Sequence, residues 1–173
     1  TFGQTNFDEV MTNAFKAWKK GNDQGIEQFQ KVAHLFPKER LPQYYLAFTQ
    51  TLKSFEETNP IKKEELIDAA KLIIAQLEKD DPTNEEVFNL KALNLSAEIM
   101  LNPRVNGMLL MQDVQSIYAQ SILLNPNNPR SILGNAEFNI NTAKFMGGDI
   151  AKDCKAVRKA LALEYLEKSK ATR

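Results

Sequence analysis

The chain has 173 residues, enough for one domain with a real core, and its 43% hydrophobic and 25% charged residues are ordinary for a globular protein. Lys plus Arg balance Asp plus Glu at 22 each, which removes the overall electrostatic argument for a nucleic-acid partner. No run approaches the ~20 apolar residues that cross a bilayer, so membrane insertion is not expected, and the single cysteine, Cys154, can form neither an internal disulfide nor half of a CxxC metal site.

The first residues, Thr1-Phe2-Gly3-Gln4, lack an initiator Met, and the expectation is that an upstream segment was removed, by a signal peptidase or by the choice of ends. From there apolar residues recur every three and four positions, as in Phe88, Ala92, Leu95, Ile99 or Val114, Ile117, Tyr118, Ile122. That is the amphipathic-helix period, and β-branched alternation is nearly absent. Helices are expected at about 6–20, 23–36, 40–57, 62–80, 84–101, 108–125, 129–145 and 150–170. The second stops at Pro37. The third carries Pro42 in its first turn, where proline is tolerated. The fifth opens after Thr83-Asn84, a capping pair, with Glu85 and Glu86 at its positive end. Asn125-Pro126 stops the sixth, because proline lacks an N–H and restricts the residue before it. Asn128 then caps the seventh, with Pro129 in its first position.

The punctuation is periodic. Pro37, Pro82 and Pro126 close helical segments at intervals of 45 and 44 residues. Ten residues past each stands an alanine: Ala47, Ala92, Ala136. Eight before each stands a large residue, Phe29, Ile74 or Tyr118, and five before each a smaller one, Val32, Leu77 or Ser121. Six past each, the column is weaker: Gln43, Phe88, Ile132. Inner turns are expected at Asn59-Pro60, Asn102-Pro103 and Met146-Gly147-Gly148-Asp149. Self-similarity at this period is the mark of stacked helical hairpins, and an alanine at a helix crossing permits close approach. Units are drawn at about 6–37, 38–82, 83–126 and 127–173, within a single repeat domain spanning 1–173.

These residues resemble the tetratricopeptide family. Tyr118–Pro126 (YAQSILLNP) looks like the second half of such a repeat, Phe29–Pro37 (FQKVAHLFP) is similar, and Ala160–Leu163 (ALAL) fits the same stretch of a fourth unit. Ala14, Ala47, Ala92 and Ala136 match the small residue of its first helix. The departures are a longer period than ~34 residues, Gln43, Phe88 and Ile132 where the family has Trp, alanine for its glycine, a charged run at Leu77–Pro82, and no closing proline after Leu163. The resemblance implies an all-α, right-handed superhelical stack of about four antiparallel hairpins, a TPR-like α-solenoid. The layout is also similar to exported helical-repeat proteins of Bacteroidetes-type bacteria. That likeness implies a periplasmic or secreted location; without it, a cytoplasmic one is equally compatible.

Chemistry-bearing residues are sparse. His34 is the one histidine, with no second His or Cys nearby, and reads as a solvated or helix-capping side chain. Cys154 lies between Asp153 and Lys155 and reads as a small filler. The acidic run Glu78–Glu86 lacks the calcium-loop pattern and reads as helix capping. Met100, Met108 and Met111, among Leu101, Leu109 and Leu110, read as core. No metal, cofactor or catalytic set is expected, and an enzyme is the weakest reading. The favoured expectation is a non-catalytic scaffold binding a protein or peptide partner. The geometry implied by the resemblance places Tyr44, Phe48, Thr51, Asn89, Leu93, Ser96, Arg130, Glu137 and Asn141 on or near its concave groove. The alternative is a small-molecule or lipid-binding helical protein, with the turn Val105–Met111 roofing an apolar pocket.

Overall fold

The structure, a computed structural model, describes residues 6–171. It is all-α: α1 (Phe7–Trp18), α2 (Asn22–Leu35), α3 (Arg40–Glu56), α4 (Pro60–Asp80), α5 (Glu85–Ile99), α6 (Pro103–Leu124), α7 (Pro129–Met146) and α8 (Ala151–Ala171), with no strand among the described residues. The chain divides into two compact units, Thr1–Pro82 with α1 to α4 and Thr83–Arg173 with α5 to α8.

Asparagine starts most of these helices, because its side-chain oxygen accepts from the otherwise unpaired N–H groups of the first turn. Asn84 accepts from Glu86 and Val87, and Asn128 from Arg130 and Ser131. Asn59 does the same for Ile61 and Lys62, and Asn102 for Val105. Pro60, Pro103 and Pro129 follow as first helical residues, where the missing N–H costs nothing. Two expectations are corrected here. Asn59-Pro60 and Asn102-Pro103 are helix starts, not turn centres, so α4 begins at Pro60 and α6 at Pro103 rather than near 108. The stretch Val105–Met111 is therefore helix rather than a turn.

Within unit 1 successive helices run antiparallel. Phe7 at the start of α1 meets Phe36, just past α2, edge-on at 5.2 Å. Asn22 at the start of α2 donates to Glu56 at the end of α3, and Arg40 at the start of α3 pairs with Asp81, just past α4. The core is aromatic. Phe29 is fully buried, stacked on Tyr45 at 5.4 Å and edge-on to Phe15 and Trp18. Gly25 makes room for the indole: a β-carbon there would lie 2.7 Å from Trp18 Cδ1.

Unit 2 is antiparallel likewise. Ser121 and Asn125 at the end of α6 bond Glu85 at the start of α5, and Arg130 at the start of α7 approaches Glu167 near the end of α8. Its interior is part apolar and part polar. Ala92, Val114, Ile117 and Tyr118 form one buried cluster. Beside it Ser121 donates to Asn89 Oδ1 at 2.7 Å, Asn89 Nδ2 donates to Ser131 at 3.0 Å, and the two serine hydroxyls lie 2.8 Å apart. Gly134 admits the Tyr118 ring, since a β-carbon would sit 2.7 Å from Cε1. Burial, and to a lesser degree the charge of Glu137, pushes the Tyr118 phenol well above its usual pKa.

The repeat columns are core positions in both units. Ala14, Ala47, Ala92 and Ala136 are all buried, as the close-approach argument requires. So are Phe29, Ile74 and Tyr118, and Val32, Leu77 and Ser121. The odd member of the weak column, Gln43, donates to the Pro37 carbonyl and so closes its own joint.

Candidate functional site

The nine expected groove residues divide between the units. On α3, Tyr44 and Phe48 are half-buried one turn apart, their rings near-parallel at 6.2 Å, and Phe48 meets Trp18 edge-on. Thr51, one turn further, is fully buried and presents nothing to solvent. On α5, Asn89 is held inside the serine cluster, Leu93 is half-buried, and Ser96 donates to the Ala92 carbonyl. On α7, Arg130 pairs with Glu86 at 2.7 Å, while Glu137 and Asn141 are exposed. Thr51 and Asn89 thus serve the interior of their units.

His34 is exposed in the last turn of α2. Cys154 is a free, half-buried thiol. The acidic run is occupied locally. Glu85 accepts from Asn125, and Glu86 accepts from Asn128 and Arg130. The Asn125 hydrogen bond first, then Glu85's own backbone N–H, Asn128 and Arg130, hold the Glu85 carboxyl below its usual pKa against the opposing cost of burial. Among the described residues, no group of three or more His, Cys, Asp or Glu gathers as metal ligands.

Unit 1 carries an open cleft lined by Asp23, Lys53, Glu57, Lys62, Glu65 and Leu66. Lys53 pairs with Asp23 at 2.8 Å, which raises its ammonium pKa, and the Asn59 N–H bonded to Glu57 lowers that carboxyl. Cations and carboxylates satisfy one another here, which suits neither an apolar ligand nor a highly charged one.

The methionine-rich segment departs most from expectation. Read as core, it is divided: Met100 is 54% exposed, Met108 77% and Leu109 68%, with Val105 beside them at 44%, while Leu101, Leu110 and Met111 are half-buried. The reason is register. With α6 starting at Pro103, its core face is Val114, Ile117, Tyr118 and Ser121. Counting back at 100° per residue puts Val105, Met108 and Leu109 on the opposite side. They form an apolar solvent-facing strip over the first two turns. Arg104, one turn before Met108, is exposed beside it. The residue types alone hid this strip, because Met and Leu are ordinarily core; the Asn102-Pro103 cap was the signal that fixes the register.

The chain matches no protein-family profile and no curated protein sequence. Its fold is similar to a solved structure, the HusA haemophore from Porphyromonas gingivalis, with a TM-score of 0.76 and 21% identity over 96% of this chain and 84% of that one. At that identity the likeness shows the fold. It also counts against one expectation: this neighbour is named for haem and not for a protein partner, so the peptide-binding scaffold is not retained. Among the described residues, no helix is long and apolar enough to cross a membrane.

Proposed function

We propose that the chain is a non-catalytic carrier of a small, largely apolar molecule, and that a haem-class porphyrin is its ligand. One observation carries this reading: apolar side chains, two of them methionines, stand exposed where α5 ends and α6 begins, in a fold shared with a haemophore. Isolated exposed hydrophobics are normal, but a contiguous apolar strip marks a binding surface. The donor set fits such a cargo. A thioether is an established axial ligand of haem iron, methionine packs adaptably against a flat ring, and a nearby arginine suits the carboxylates of the porphyrin rim. The non-catalytic part of the reading rests on the sequence, with one His and one Cys in 173 residues.

The finer fold reading belongs to the same proposal: tetratricopeptide-like units, four antiparallel hairpins in a right-handed stack forming a single repeat domain. The 44–45-residue interval and the buried alanine column support it. Release to the periplasm or beyond belongs here too, supported by the resemblance to exported helical-repeat proteins. The test is a spectroscopic titration with ferric haem, expected to give a saturable shift of the Soret band at micromolar concentration. A spectrum indistinguishable from haem in buffer, across the same range, sinks the carrier reading.

A further inference from the structure

Deepening the carrier reading, and resting on it, we infer where on this chain the porphyrin sits: on the solvent side of the first two turns of α6, with Met108 as the iron ligand. Val105 and Leu109 form the apolar floor, and Arg104 pairs with a rim carboxylate. Four observations converge. Met108 is the most exposed of these apolar side chains, at 77%, so it is presented to solvent rather than consumed in packing. Val105, one turn before Met108, and Leu109, one turn after Val105, lie together to one side of it, leaving aliphatic surface that an apolar, flat ligand would cover. Arg104 lies one turn before Met108 on the same side and is exposed, and its forked donors match a carboxylate. The only histidine in the chain, His34, belongs to unit 1, so unit 2 has no imidazole to compete as a ligand.

Other candidates carry less. The cleft at Asp23 and Lys53 is self-compensated in charge. The Asn89–Ser121–Ser131 cluster is closed, each side chain bonded to another. The exposed Leu161 and Tyr165 of α8, with exposed Arg158 one turn before Leu161, form another apolar face beside a cation, but they carry no thioether and lie on a different helix from the α5–α6 junction on which the carrier reading rests.

The experiment uses two probes, ferric haem and metal-free protoporphyrin, with three variants whose far-UV circular dichroism should match the parent because the side chains are exposed. Met108→Leu keeps apolar area and removes sulfur. It should weaken ferric haem by about tenfold and change the visible spectrum of the ferric complex, while metal-free protoporphyrin binds as before. Arg104→Gln and Leu109→Ser should weaken both probes, by about three- to tenfold. If the parent binds haem and all three variants bind both probes as it does, the site is elsewhere and the carrier reading stands without it. An unchanged haem spectrum in Met108→Leu overturns the sulfur ligand. A parent that binds neither probe overturns the carrier reading, and this site with it.

Discussion

Phe29 and Val32 in α2 hold the places, eight and five residues before a closing proline, that Tyr118 and Ser121 hold in α6. All four are buried. In unit 1 those places sit in a cluster of rings, with Phe15, Trp18 and Tyr45 around Phe29. In unit 2 the tyrosine ring leans on Gly134, and the serine opens a polar cluster with Asn89 and Ser131. One repeat geometry is thus filled by two chemistries. The aromatic joint depends on area and ring packing. The polar joint depends on every donor and acceptor being used, since a buried polar group left unpaired costs more than its bond contributes.

The difference makes the joints fail differently. Phe29→Ala should cost the most, about 3–5 kcal/mol, because it opens a cavity among rings that cannot collapse together. Urea unfolding followed by the emission of Trp18, the only tryptophan, reads it directly. A loss below 1 kcal/mol would mean that the ring cluster is not what holds unit 1. Ser121→Ala removes few atoms yet should cost about 1–3 kcal/mol, by stranding Asn89 Oδ1. Chemical denaturation followed by circular dichroism measures it, and a neutral result would show that the cluster is easily rehydrated. Asn128→Ala should cost ~1 kcal/mol by losing the α7 cap, visible as a lower melting temperature.

The smallest effect is pH-dependent. Glu85 has a depressed pKa in the folded state, so its contribution is complete above the unfolded value of about 4.3 and fades as pH falls through the lower folded value. Thermal melts from neutral pH downward should show a loss below that point that is smaller in Glu85→Gln. Identical acid profiles for parent and variant would remove Glu85 from the account.

How much of this was legible in the sequence depends on how local the cause is. Ala47, Ala92 and Ala136 were readable because helix crossings demand small residues at a fixed interval. Asn84 and Asn128 were readable because a cap acts within three residues. Asn102-Pro103 uses the same device as Asn128-Pro129, yet it read as a turn, and that shifted the start of α6 and hid its outward face. Asn89 read as a groove residue because its partners, Ser121 and Ser131, lie 32 and 42 residues away, and no local pattern announces them. The exposed Met108 and Leu109 were invisible for a different reason: composition assigns such residues to the core, and only register says otherwise. The preference for a small molecule over a peptide is not local at all; the proposal leans on the likeness to a haemophore.

The most direct test of the carrier account labels the five methionine methyls with carbon-13 and titrates with metal-free protoporphyrin, whose ring current shifts nearby resonances. The account predicts that Met108 and Met100 move and saturate together while buried Met11 of unit 1 stays fixed. Five unshifted methyls, or shifts confined to Met11, would contradict it.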